Sequence, residues 1–158
     1  GLLLVILDQF SKYWIVKYIP FGSRHPVIPG FFNITYITNT GAAWGVLSGR
    51  GWLLLMISIL VMLSAIWFLH ALTDGWKERY FAIFLVLSGI VGNSIDRIVR
   101  GAVVDFLQFF IGKYVWSSFN VADSCICVGV FIFIISTICR PEHRKTDPDS
   151  LAYVQYKK

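Results

Sequence analysis

"FNVADSCICVGVFIFIIS", residues 119–136, is the stretch on which the reading of the fold turns. Continued to Cys139, its apolar part from Val121 has the length of a membrane helix, since a hydrocarbon core of about 30 Å takes about 20 helical residues. Yet it opens on Asn120 and Asp123. Upstream, "GAVVDFLQFF" (101–110) sets another acid, Asp105, among apolar residues. An ionised side chain at the centre of a membrane helix costs about 2.5–3.5 kcal/mol on insertion scales, so such residues face a partner, water or a functional cavity.

The rest of the chain carries the same signal. It is 56% hydrophobic and 15% charged, where soluble domains are about 25% charged; its mean hydropathy is +0.67. Four apolar spans emerge, at about 2–19, 52–72, 80–98 and 121–139. Trp14, Trp52, Trp76, Tyr80 and Trp116 fall in or near their ends, where an interfacial aromatic belt belongs. The formal charge of +5 would suit a nucleic acid, but the basic residues form no patch interleaved with polar groups and instead flank apolar spans, so no nucleic acid partner is expected. The chain opens on Gly1, which implies an initiator region missing or altered. The first segment differs from a signal peptide, because Asp8, Lys12 and Lys17 interrupt it and no small-residue cleavage site follows. Cys125, Cys127 and Cys139 fit neither zinc-site nor CxxC spacing and read as small apolar side chains. No metal or cofactor is expected.

These spans imply an all-α membrane protein with a small β element: a four-transmembrane-helix bundle forming one catalytic domain over 1–139, with a basic tail at 140–158. The tight loop "TDGWKER" (73–79) and the tail share one side of the membrane, and the connections 20–51 and 99–120 share the other. Lys77, Arg79, Arg140, Arg144, Lys145, Lys157 and Lys158 crowd the first side, against Arg24, Arg50, Arg100 and Lys113 on the second. The positive-inside rule then makes both termini cytoplasmic. "FFNITYITN" (31–39), "AVVDFLQFF" and "KYVWSSF" favour extended structure and are expected to form an extracytoplasmic β platform, since unpaired strand edges are not tolerated in lipid. "AAWGVLSG" (42–49) is expected to lie as a short interfacial helix.

Polar residues then collect at the outer ends of the spans. Asp8, Ser11 and Lys12 share one helix face, as a self-neutralising pair or as inter-helix hydrogen-bonding groups. Asn39 precedes the small residues from Gly41 and either caps the next helix or serves a site. Asn93 and Arg97 are one turn apart, as are Gly92 and Asp96; the plainer reading has Asp96 and Arg97 closing the helix end and meeting headgroups. Asp105 has no cationic neighbour in sequence, and Asp123 stands in a first helical turn, where the dipole favours an anion. Both acids fall at one membrane depth. Two converging carboxylates at the edge of a low-dielectric medium would share a proton, one serving as general base and the other as general acid.

In order, "DQFSK" (8–12), "NTGAAWG" (39–45), "GNSIDR" (92–97) with "VVDF" (103–106), and "FNVADS" (119–124) closely resemble the motifs of bacterial lipoprotein signal peptidase, or signal peptidase II, across essentially the whole chain. Trp44 stands where the family often has Phe. The resemblance implies an aspartic endopeptidase of the bacterial cytoplasmic (inner) membrane, with its site near the outer face. It would remove signal peptides from diacylglyceryl-modified prolipoproteins on the N-terminal side of the lipidated cysteine. It implies Asp105 and Asp123 as the catalytic dyad. Asp8, Lys12, Asn39, Gly41, Asn93, Arg97 and Asn120 would support the site and hold substrate, and Asp96 would be structural. Membrane lipids and globomycin-type cyclic peptides would bind, and the chain would act as a monomer; apart from the resemblance, the glycines and amphipathic character of segment 41–51 make it a candidate lid. A metal-dependent lipid phosphotransferase, a small transporter and a purely structural membrane subunit are the competing readings. The first wants more clustered carboxylates, the second acids at the midplane and internal repeats, and the third uses polar residues only as helix–helix glue.

Overall fold

The computed structural model describes residues 1–140; beyond Arg140 the expected basic tail lies outside the described residues. Within them the chain is mostly helical with a small antiparallel sheet.

The first helix, α1 (Leu2–Tyr18), is inverted relative to a helix of a water-soluble protein. Its buried residues are Asp8, Lys12 and Ile15, on one stripe, while Leu3, Ile6, Phe10 and Trp14 point outward. Polar side chains turned inward and apolar ones outward is the arrangement that lipid selects, because an unpaired polar group in hydrocarbon costs several kcal/mol. The helix α2 (Gly51–Trp67) is apolar all round and buries Leu54 alone. A single span over 52–72 was expected. The chain instead leaves helical geometry at Phe68, forms the short α3 (Leu69–Thr73) against α4, and reverses through left-handed Asp74 and Gly75. That reversal brings the chain round into α4 (Lys77–Arg100), which runs beyond the expected 80–98 at both ends and stops at left-handed Gly101. The last helix is α5 (Val121–Cys139). Helices α4 and α5 are long and apolar enough to cross a membrane; α2 is apolar but has 17 residues.

The closest helix pair is α4 with α5, and small residues make the approach possible. A Cβ on Gly129 would lie 2.6 Å from the Ala82 carbonyl oxygen, and one on Gly89 would collide with the Ala122 carbonyl oxygen. Gly92 leaves the space that Asp8 occupies: a Cβ there would stand 2.6 Å from Asp8 Oδ2.

The expected platform is a sheet of order β1 (Arg24–Ile28), β2 (Phe32–Asn39), β3 (Val103–Ile111) and β4 (Tyr114–Val115), antiparallel throughout. Strand β1 carries Pro26, which an edge strand tolerates. Asn39 pairs with Val103 and Ile37 with Asp105, so β2 delivers Asn39 beside the acid of β3. The sheet meets α1 through a core of Ile15, Val104 and Phe106. Residues 42–49 do not form the expected interfacial helix. They hold a 3-10 turn, Ala43–Gly45, with Trp44 and Leu47 at positive φ, closed by the Ala42 N–H donating to the Val46 carbonyl at 2.7 Å. Glycines at 41, 45 and 49 in so short a stretch favour this loop over a helix.

Gly129→Val is expected to lower the unfolding temperature in detergent by several degrees, because overpacking costs about 1–3 kcal/mol or more against backbone. Ile138→Val, on a residue 73% exposed, should leave it near the parent value. Differential scanning fluorimetry in one detergent compares them.

Candidate active site

The site is built on one buried cation. Lys12 Nζ lies 2.9 Å from Asp8 Oδ2, 3.0 Å from Asp96 Oδ2 and 3.0 Å from Asn93 Oδ1, so all three ammonium protons are used. Asp8 is therefore more than the partner of Lys12 one turn away: its Oδ1 accepts the Ala122 N–H of α5 at 2.9 Å. Asp96 accepts the Val104 N–H of β3 at 3.1 Å and also pairs with Arg100. One cluster thus ties α1, α4, α5 and the sheet. The headgroup reading of Asp96 is corrected, for Asp96 is fully buried and Arg100 is the more exposed partner. Arg97 also turns inward, its guanidinium donating to the Gly41 carbonyl at 3.1 Å and to the Asn93 carbonyl at 3.3 Å.

Above this cluster three asparagines link the two acids singled out in the sequence. Asn120 is the N-cap of α5 and forms a capping box with Asp123, its Oδ1 accepting the Asp123 N–H at 2.9 Å while Asp123 Oδ2 accepts the Asn120 N–H at 3.3 Å. Its Nδ2 meanwhile donates to Asp105 Oδ1 at 2.8 Å. Capping and the bridge to Asp105 therefore coexist in one side chain. Asn93 Nδ2 donates to Asp123 Oδ1 at 2.7 Å. Asn39 caps no helix; its Nδ2 donates to Asp105 Oδ2 at 3.2 Å and its Oδ1 accepts the Gly41 N–H at 2.9 Å. The structure thus brings together all ten residues named from the sequence: Asp8, Lys12, Asn39, Gly41, Asn93, Asp96, Arg97, Asp105, Asn120 and Asp123.

Asn39, Asn93, Arg97 and Asp123 form the polar wall of a cavity of about 380 Å³. Its apolar wall includes Leu54 and Ile57 of α2 and Ile126 of α5, and Trp44 and Trp116 stand at its sides. Asp105 is 2% exposed and joins this wall through its bond to Asn39. Burial, and secondly the charge of Asp123, push the Asp105 carboxyl up to about 7. The hydrogen bonds from Asn39 and Asn120 act in the opposite direction but do not cancel that effect. Near neutral pH such a pair can hold one proton between two carboxylates, the state from which one group takes a proton and the other gives one.

Gln9 and Arg100 were missed in the sequence. Gln9 Nε2 reaches Asp8, Asp96 and the Gly92 carbonyl, and Arg100 donates to Gln9 Oε1 at 3.3 Å. Gln9 lies next to Asp8 in the motif, and Arg100 stands one turn beyond Asp96; that adjacency was the available signal.

Fold and site together define a membrane protein with an asparagine-linked pair of carboxyl groups, one of which lines an amphipathic cavity. Comparison with known proteins makes this specific. The family model for signal peptidase (SPase) II matches residues 1–139. The lipoprotein signal peptidase of Bacillus pumilus (strain SAFR-032) is 42% identical over 137 residues, covering 85% of this chain and 87% of that protein. The lipoprotein signal peptidase of Bacillus subtilis (strain 168) is 38% identical over 147 residues, covering 93% and 96%. A bacterial membrane enzyme solved by the in meso method at 2.3 Å superposes with a TM-score of 0.83 at 36% identity, covering 92% of this chain and 88% of that one. The chain belongs to the signal peptidase II family and is a protease.

Asn120→Ala should destabilise by about 1–2 kcal/mol from loss of the cap alone, with a further loss from freeing Asp105. Asn120→Asp keeps the cap acceptor but loses the donor to Asp105 and sets a second acid against it, so it should also stay well below the parent. Unfolding in mixed micelles measures both.

Proposed function

We propose that this chain is an aspartic endopeptidase that removes the signal peptide from diacylglyceryl-modified prolipoproteins, cleaving before the lipidated cysteine, with Asp105 and Asp123 as its dyad. In this reading residues 1–139 are one catalytic domain in the bacterial cytoplasmic membrane. The chain crosses four times, through α1, α2 with α3, α4 and α5, and both termini are cytoplasmic. The sheet and the site sit at the outer face, where the scissile bond of a membrane-anchored substrate emerges. The carrying observation is Asn120, which hydrogen-bonds both acids at once.

The elevated Asp105 makes it the member that holds the proton at rest, with Asp123 ionised and oriented by Asn93. Asp123 takes a proton from water as the water oxygen attacks the scissile carbonyl, and Asp105 gives its proton to the carbonyl oxygen. The tetrahedral diol then collapses: a hydroxyl proton returns to Asp105 as the carbonyl re-forms, Asp123 protonates the leaving nitrogen, and the C–N bond breaks. Arg97, on the cavity wall, offers donors to substrate carbonyls, while Asn39 supports the site through its bond to Asp105. Leu54, Ile57 and Ile126 face the acyl chains and the apolar signal segment, as membrane lipids do in the resting state. In this reading the chain acts as a monomer. Segment 41–51 closes over bound peptide; crosslinking it to β3 should abolish turnover, and undiminished turnover would remove that role. A globomycin-type cyclic peptide should occupy the same cavity and inhibit.

Cleavage of a diacylated prolipoprotein peptide in detergent tests the reading. Asp105→Asn and Asp123→Asn should each lower kcat by at least about 10³-fold with the melting temperature kept, and chelator should leave the parent rate unchanged. Retained cleavage in either variant, or chelator-sensitive turnover, overturns the dyad. The parent rate should fall as pH rises through about 7, because Asp105 then loses the proton it must donate.

A further inference from the structure

Resting on that reading, we propose that Lys12 is a positioning residue for the reaction: it fixes which way the Asn93 amide faces, and so sets the geometry of a carboxylate pair to which it is not bonded. A primary amide presents one acceptor oxygen and one donor NH2 group, and its orientation follows from its neighbours. Asn93 Oδ1 receives two donors, Lys12 Nζ at 3.0 Å and Asn120 Nδ2 at 3.3 Å. With its oxygen so held, its Nδ2 faces Asp123 Oδ1 at 2.7 Å. Turned over, the amide would set its NH2 against an ammonium and a second NH2, and its oxygen against a carboxylate. Every one of those contacts is repulsive, and all lie in a buried region where mispaired polar groups are costly.

Lys12 cannot relax away from this task. It is fully buried, and Asp8 and Asp96 hold its other two protons. Neutralising those acids would account for two of its bonds. The third, to Asn93, neutralises nothing; its effect is on the amide that orients Asp123. Asn120 spreads the order further, since the Nδ2 that bonds Asn93 also bonds Asp105. The charge of Lys12 acts in the same sense. The charged and polar groups that act on Asp105 are Asp123 from α5, Lys12 from α1, Arg97 from α4, Asn39 from β2 and Asn120. Of these, Lys12 opposes the rise of the Asp105 carboxyl, so its removal lifts that group further.

The test is the cleavage assay across pH 5–9 on Lys12→Met, which keeps length and removes donor and charge. The kcat should fall by about tenfold or more with KM within about threefold, and the loss of rate at high pH should move to higher pH. If Lys12→Met does not fold, Lys12→Met with Asp8→Asn removes the unpaired acid, and its kcat should still fall at unchanged KM. A folded variant with the parent's kcat and pH profile overturns the positioning role. Asp123→Asn, run alongside, separates the two ideas: retained cleavage there sinks the dyad and the Lys12 inference with it, whereas loss there beside a silent Lys12 variant sinks the inference alone.

Discussion

The structure depends on a single ammonium group placed where no water solvates it. Lys12 is fully buried and finds its three partners on α1 and α4. An uncompensated ion in this setting costs several kcal/mol, and breaking one arm of a buried pair typically costs about 3–5 kcal/mol. The fold therefore has little freedom in how these helices stand together. Asp8 reaches α5 through the Ala122 N–H and Asp96 reaches β3 through the Val104 N–H, so satisfying one charge also sets the start of α5 and the entry of the strand that carries Asp105.

Such a scaffold makes sense for a protein whose apolar side chains gain little from burial. In lipid the hydrophobic effect does not drive helices together. Most of α1 and nearly all of α2 present apolar residues outward, and packing specificity comes from the glycine contacts of α4 with α5 and from polar bonds across the interior. Polar groups at one end of the bundle therefore both hold the architecture and form the candidate site. The two roles meet in Asn93 and Asn120, each of which bonds a structural neighbour on one side and an acid on the other.

The cavity follows from the same economy of contacts. Helix α2 buries only Leu54, and with α4 and α5 it lines a cavity that carries both polar side chains and an apolar wall. The loop at 42–49 contributes Ala42 and Trp44 to the cavity wall and is a compact turn with two non-glycine residues at positive φ. A loop of that kind is held by its own backbone bonds more than by packing, in contrast to the cluster beneath it.

Much of this was legible in the linear chain. Ionisable and amide residues in apolar surroundings, several of them one helical turn apart, marked the candidate site residues that the structure brings together, because hydrocarbon tolerates such groups only where something pairs them. The β character of 31–39 and 103–111 was readable from β-branched and aromatic content. The break at Phe68 and the extra residues at both ends of α4 were not, since helix ends in apolar runs follow from contacts with neighbouring helices and leave little local mark. Strand β1 was hidden because Pro26 argues against a strand until the sheet shows it lies at an edge. The partners themselves were beyond the sequence. Spacing along α1 offers Asp8 as the neighbour of Lys12, but only the crossing of α1 and α4 supplies Asp96 and Asn93. The sequence by itself determined which residues must be paired; the tertiary structure decided with whom, because a buried charge is satisfied by distance and direction in space, and residues 81 apart along the chain share neither until the helices pack.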